Sequence, residues 1–270
     1  MVHISVVIPA LNDAVMLDGC LRALSVQTRP ADQIVVVDNG SEDDTAQVAL
    51  RWGAEVIEEP LRGIFPATSA GFDAATGEIL TRLDADSIPP ADWLERIEAA
   101  FDENEALDLL SGPGDFYGSS RAVHWMAEHL YIGGYVWFVG LLLGHAPLFG
   151  SNLALRATAW QRLRENVHRD LREIHDDLDL AIHVEPDMGV RFDPTLRVGV
   201  SARPFETFAG FSRRIDWAFG TLGLNWREAK WGVLPRIETG EISFDARPSL
   251  ERVKLWRALA PAVRGAPEEI

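Results

Sequence analysis

The chain has 270 residues, 47% hydrophobic and 24% charged, which fits a folded globular protein and excludes a disordered or fibrous one. Its 25 basic and 41 acidic residues leave a net charge of −16, which excludes the basic footprint of a nucleic-acid binder. The one cysteine, Cys20, excludes an internal disulfide and fits a reducing compartment.

Met1-Val-His3 runs straight into the strand pattern Ile4–Ile8, so no leader is expected. The expected location is cytoplasmic, with peripheral contact at the inner face of the membrane as a variant. The first strand is predicted to end at Pro9, followed by a helix from about Ala14 to Gln27. Cys20 lies there among Leu17, Leu21 and Leu24 and reads as helix core. Ile34–Val37 is wholly apolar, as in a strand buried on both faces of a parallel sheet. Asp38-Asn39-Gly40-Ser41 follows; Ser41 and Asp44 form a capping-box pattern, and Trp52-Gly53 supplies a stop. Glu55–Ile57 and Ile79–Leu83 read as further strands, and Pro89-Pro90 opens a helix carrying Trp93, Leu94, Ile97 and Phe101.

This alternation predicts an α/β fold with a single Rossmann-like, mostly parallel sheet flanked by helices. Ligands bind such sheets at the carboxyl ends of the strands, where Pro9–Asp13, Asp38–Ser41 and Asp84–Ser87 all fall. Beyond about residue 105 the alternation fades, leaving a strand at 149–156, a helix start at Asp176 and an amphipathic, basic segment over 211–225. No repeat or linker divides the chain. One domain over 1–270 is expected, with a first half to about 105, a second over about 106–225 and a tail over about 226–270. Tyr131–Leu143 reads as a core helix or interdomain packing or, alternatively, as a partly exposed apolar surface that meets a lipid or a membrane.

The densest chemistry lies in Ile79-Leu-Thr-Arg-Leu-Asp84-Ala-Asp86-Ser87. An apolar run ends in two aspartates one residue apart, which an extended strand would point the same way. Carboxylates so crowded repel each other unless a hard divalent cation, often shared with substrate phosphates, sits between them. A solvated turn with an aspartate cap is the plain alternative. No G-x-G-x-x-G follows the first strand and no G-x-x-x-x-G-K-[ST] occurs, against a dinucleotide oxidoreductase and a P-loop NTPase.

Four segments in order, Ser5-Val-Val-Ile-Pro-Ala-Leu-Asn-Asp13, Val37-Asp-Asn-Gly-Ser-Glu-Asp-Asp-Thr45, Ala75-Thr-Gly-Glu-Ile-Leu80 and Leu83-Asp-Ala-Asp-Ser87, resemble the signature of family-2 inverting glycosyltransferases with the GT-A fold. The resemblance is strong over about residues 3–103 and weaker to about 215. It implies that Pro9, Ala10 and Asp38 contact the base and ribose of a nucleoside-diphosphate sugar (UDP, GDP or dTDP type). It also implies that Asp84 approaches the ribose and that Asp86 ligates Mg²⁺ or Mn²⁺ on the diphosphate. Asp176-Asp-Leu-Asp-Leu180 matches the family's base motif and gives Asp177 the role of base. Burial or the neighbouring Asp176 would have to raise its pKa for that task. Helical spacing puts Asp176 and Asp179 on one face, with Asp177 turned away.

Gly150-Ser-Asn152 matches the acceptor loop, so Asn152 is a candidate contact to acceptor or donor sugar, with a structural turn as the equal alternative. Arg203 and Arg213-Arg214 are candidates for the diphosphate, because guanidinium groups bind phosphate in bidentate fashion. The implied acceptor is a glycan, a small molecule or a lipid-linked hydroxyl. The sequence departs from the family pattern in places: Ser69 stands where asparagine is frequent, and Val198–Arg203 offers no metal-binding histidine. His175 and His183 flank the base motif as candidate third ligands. Two rival readings are a catalytically silent nucleotide-sugar-binding scaffold and a sugar-nucleotide pyrophosphorylase, the latter lacking its expected Gly-rich basic loop at Leu11–Ala14.

Overall fold

The computed structural model describes residues 2–118, 140, 143–145, 147–203 and 216–225. Most of the Tyr131–Leu143 segment, the Arg213-Arg214 pair and the tail beyond 225 lie outside the described residues.

Strands β1 (Ile4–Ala10), β2 (Gln33–Asp38), β3 (Glu55–Glu58) and β4 (Ile79–Arg82) alternate with helices α1 (Ala14–Ser25), α2 (Thr45–Arg51) and α3 (Ile64–Ala74). After β4 come α4 (Trp93–Glu103), β5 (Leu107–Ser111), β6 (Gly114–Tyr117), a 3-10 turn (Gly150–Asn152) and β7 (Leu153–Arg156). Then follow α5 (Ala157–Leu163), α6 (Asp176–His183), β8 (Gly189–Phe192) and β9 (Val198–Ser201). Residues 216–225 are helical.

Seven strands form one sheet in the order β3-β2-β1-β4-β7-β5-β8. Pairing is parallel throughout except at β7, which runs antiparallel to both β4 and β5. Both halves of the chain therefore contribute to a single sheet, while β6 and β9 make a separate parallel pair.

The period of two assigns each β1 and β2 side chain to a face. Val6, Ile8 and Val36 pack under α1 and α4 with Leu17, Cys20, Leu21, Trp93 and Ile97. Val7, Val35 and Val37 face the opposite layer with Phe65, Phe72, Trp160 and Leu178. Gly71 permits that second contact, since a Cβ there would overlap the Val7 side chain.

Several boundaries differ from the sequence expectation. Strand β1 continues through Pro9 to Ala10, because β4 pairs with β1 only as far as Val7 and the proline removes no ladder bond on that side. Helix α1 stops at Ser25. The Ser41–Asp44 capping box does not form: α2 begins at Thr45, whose N–H bonds the Asp43 carboxylate, and Ser41 is used elsewhere. Gly53, with φ of 76°, ends α2 as the Trp52-Gly53 signal predicts. Strand β4 stops at Arg82, so Asp84 and Asp86 lie in a turn and not on a shared strand face.

Candidate active site

The loops after β1, β2 and β4 meet at one edge of the sheet. Asn12, at φ of 53°, takes the left-handed conformation that asparagine tolerates. Its N–H donates to Ser41 Oγ (3.0 Å), and its Oδ1 accepts from Glu42 N–H (2.7 Å). Asp13 N–H donates to Thr45 Oγ1 at 3.1 Å. The half-buried Asp38 ends β2 and accepts the Ser41 N–H at 3.0 Å. Pro9 and Ala10 are buried within β1, so Leu11 and Asn12 form the exposed part of that loop.

Asn39, which the sequence reading passed over, ties in the third loop. Its Nδ2 donates to the carbonyls of Glu59 (2.8 Å) and Leu61 (2.9 Å), and its Oδ1 accepts from Gly63 N–H (2.8 Å). A polar side chain just past a buried strand end was the available signal.

Asp84 and Asp86 are held by different partners. Asp84 takes Arg82 Nη2 at 2.7 Å on one oxygen and the Ser151 hydroxyl on the other. Asp86 faces Arg203, whose Nη2 lies 3.2 Å from Asp86 and 3.0 Å from Asp13. Burial, and then the charge of Asp84, push the Asp86 carboxyl up to about 6, with Arg203 opposing. An acid so placed fits a divalent cation: its neighbours offer oxygen ligands, and a guanidinium already sits between Asp13 and Asp86. Asp86 and Asp13 are the residues that would hold such an ion.

The base motif lies at the start of α6, where Asp176 and Asp177 are both buried. Asp177 accepts the Gly150 N–H at 3.0 Å and bonds the His175 ring through Nδ1. Its carboxyl is held down at about 2; burial opposes this, but the His175 charge and hydrogen bond, the Gly150 N–H and the Arg82 charge outweigh it. That reverses the expected direction. The raised carboxyl is Asp176, through burial and despite Arg82, whose Nη1 lies 2.7 Å from it.

The expected face-sharing of Asp176 and Asp179 fails too. Asp176 and Asp177 lie in one cluster with His175, whereas the fully buried Asp179 accepts from His168 Nδ1 and Asn225 Nδ2, both at 2.8 Å. His183 Nδ1 donates to the Asp179 carbonyl at 2.8 Å. Neither histidine joins Asp86 in a ligand cluster among the described residues.

Asn152 is a core residue and not a cleft contact. It is 1% exposed, accepts the Trp93 indole N–H (2.9 Å) and donates to the carbonyls of Leu196 (2.6 Å) and Pro113 (3.4 Å). Its neighbour Ser151 reaches the cleft instead, through Asp84. Ser69 is 1% exposed with an unpartnered hydroxyl among the described residues, and no reason for the serine is evident.

The sheet is doubly wound, with a carboxylate pair in the loop after β4, where the strand order reverses, and the acidic start of α6 joined to that loop through Arg82. Residues 5–151, more than half of the chain, match the family described as Glycosyl transferase family 2. The chain belongs to that family. Glycosyltransferase AglE of Haloferax volcanii is 34% identical over 121 residues, which are 42% of this chain and 40% of that protein. The uncharacterized glycosyltransferase Rv0539 of Mycobacterium tuberculosis is 40% identical over 109 residues, covering 40% of this chain and 47% of the relative. The match therefore spans less than half of either relative. Among solved structures, glucosyl-3-phosphoglycerate synthase from Mycobacterium tuberculosis, in complex with Mn²⁺, UDP and glucosyl-3-phosphoglycerate, superposes with a TM-score of 0.57. That match is 22% identical and covers 84% of this chain and 80% of the synthase.

Proposed function

We propose that this protein is a metal-dependent inverting glycosyltransferase that moves a sugar from a nucleoside-diphosphate donor to an acceptor hydroxyl. The observation that carries this reading is that the loops bearing Asp38 and Asp84–Asp86 follow the two parallel strands flanking β1 at one sheet edge, and that the helix bearing Asp177 is joined to the second of these loops through the Ser151–Asp84 and Gly150–Asp177 contacts. The solved synthase binds Mn²⁺ and UDP, which supports a donor of the UDP type. Phosphoglyceric acid, found with UDP-glucose in another complex of that synthase, makes a small anionic acceptor one candidate beside glycans and lipid-linked hydroxyls.

The residues divide the work. Asp38, with Leu11 and Asn12, receives the nucleoside. Asp86 and Asp13 hold a divalent cation, which when bound offsets negative charge developing on the leaving diphosphate. Arg203 exchanges its carboxylate partners for phosphate oxygens. On the other side Asp177, held low and therefore ionised but weakly basic, takes the acceptor proton late. By then the hydroxyl oxygen has become acidic by bonding the anomeric carbon while the diphosphate oxygen leaves from the opposite face, which inverts that centre. His175 bonds the Asp177 carboxylate and fixes its orientation.

Thermal stabilisation by UDP, GDP, dTDP and CMP, with and without Mn²⁺, tests the reading on the full chain. A shift with one diphosphate that requires Mn²⁺ and is lost in Asp86→Ala is expected. No shift with any of them overturns it, and a shift without turnover on a broad acceptor panel leaves a silent binding module. Among the described residues no helix is long and apolar enough to cross a membrane. Peripheral contact and a cytoplasmic location stay part of the proposal, tested by flotation with anionic vesicles and by fractionation.

A further inference from the structure

Arg82 is 3% exposed at the end of β4, so it is available neither to solvent nor to a phosphate. Both arms of its fork are taken, Nη2 by Asp84 and Nη1 by Asp176, each at 2.7 Å. Its Nε has no acceptor among the described residues. The two acids belong to opposite sides of the cleft: Asp84 to the donor loop, Asp176 to the helix bearing Asp177. The same two sides meet again at the 3-10 turn, where Gly150 N–H donates to Asp177 and Ser151 to Asp84. Space for the guanidinium is reserved there, because a Cβ at Gly150 would overlap it, and Gly150 has no left-handed φ that would otherwise call for glycine.

We propose that Arg82 is a positioning residue that holds the donor loop and the Asp177 helix at a fixed separation, with Asp176 as its counter-ion and not a proton acceptor. This rests on the functional reading above. A packed apolar side chain would fill the same volume without the cost of burying charge. What it would lack is a planar fork whose two arms set the spacing and angle of two carboxylates. Inverting transfer needs such a reference, since the base must lie opposite the leaving group, and misplacement by about 1 Å costs about a hundredfold in rate. Lysine offers one point charge and cannot span both acids.

The test compares wild type with Arg82→Lys, Arg82→Met and Arg82→Met/Asp176→Asn in the full chain. Three quantities are measured: melting temperature, stabilisation by whichever of UDP, GDP or dTDP stabilises wild type with Mn²⁺, and diphosphate release from UDP-glucose, GDP-mannose or dTDP-glucose. Arg82→Met is expected to melt much earlier, because Asp176 is left buried without a counter-charge. The double variant, which removes that charge as well, should recover most of the melting temperature and keep the diphosphate shift. Its kcat should nevertheless stay about 30- to 100-fold low, with donor KM within about threefold of wild type, and Arg82→Lys should show the same kcat defect.

Wild-type kcat in the double variant would overturn the proposal, since Arg82 would then only balance charge. A diphosphate shift lost in step with kcat would overturn it as well, since the fault would lie in donor binding. A wild-type chain with no shift, or with no release from any of the three sugars over the broad acceptor panel, refutes the enzymatic reading itself and takes this proposal with it.

Discussion

On the donor side the loops after β1, β2 and β3 are fastened by many single hydrogen bonds to backbone groups, from neutral side chains (Asn12 to Ser41, Asp13 to Thr45, Asn39 to Glu59, Leu61 and Gly63) and from the partly or wholly exposed carboxylates Asp38 and Asp43. The acceptor side is fastened by buried charge instead, with Arg82 between Asp84 and Asp176, His175 on Asp177 and His168 on Asp179. The first kind of fastening is built from many contacts, each worth about 1 kcal/mol. The second concentrates risk, because breaking a buried pair costs about 3–5 kcal/mol and strands the partner. Substitutions on the acceptor side should therefore be severe one at a time, and those on the donor side mild unless they strike the group that binds substrate.

The largest expected effects test where those groups are. Asp177→Asn should lower kcat by about 10²- to 10⁴-fold and leave the Mn²⁺-dependent diphosphate shift intact. Asp86→Asn should abolish both turnover and the shift, and EDTA added to wild type should reproduce the loss of shift. The substitution should not lower the melting temperature at neutral pH, because it removes a half-buried carboxylate held up at about 6 by desolvation and by Asp84. Turnover near wild type in either variant would reassign its role. A large fall in stability for Asp86→Asn would show that the Arg203 pairing matters more than the crowding.

Asn152→Ala comes next and separates the core from the cleft. It leaves the Trp93 indole N–H and the Leu196 carbonyl without their partner and should cost about 2–3 kcal/mol in urea unfolding. The folded fraction should keep its turnover. A selective loss of kcat with unchanged stability would return Asn152 to the acceptor site.

These outcomes bear on what the sequence could reveal. The donor half was legible because its information is local: wholly apolar strands, Gly53 as a helix stop and acidic loops at strand ends each read within a few residues. For Asn152 the sequence leaves a binding contact and a buried turn equally open, because Gly-Ser-Asn has the same composition in both; only the positions of Trp93 and Leu196 distinguish them. The direction of the Asp177 shift was out of reach for a similar reason, since Gly150 is 27 residues away and Arg82 further still. Arg82 did leave a trace, as a lone charge at the end of the apolar run of β4 with Asp84 two residues on, but its second partner, Asp176, lies in the other half of the chain.

The acid limb of stability gives a smaller, graded test of the charged side. Asp177 falls from 3.8 to about 2 on folding, so its ionised form stabilises the native state fully above about pH 4, and that contribution is lost as pH drops toward 2. Asp176 is raised and works in the opposite sense. Asp177→Asn should therefore lose less stability than wild type between pH 4 and 2, by at most about 2 kcal/mol, in urea midpoints taken across that range. Equal slopes would mean that the His175 contact does not hold the carboxylate ionised.

The mildest expected change is Ser41→Ala on the donor side. It removes the acceptor for Asn12 N–H while leaving Asp38 with the Ser41 backbone N–H, so one partly exposed neutral bond is lost. A cost of about 0.5–1 kcal/mol follows, together with a donor KM raised about two- to threefold at unchanged kcat, because the Asn12 loop loses part of its preorganisation. A fall in kcat as large as that of Arg82→Lys would break the contrast between the two sides, since it would mean that the nucleoside loops also set the geometry of the reacting centre.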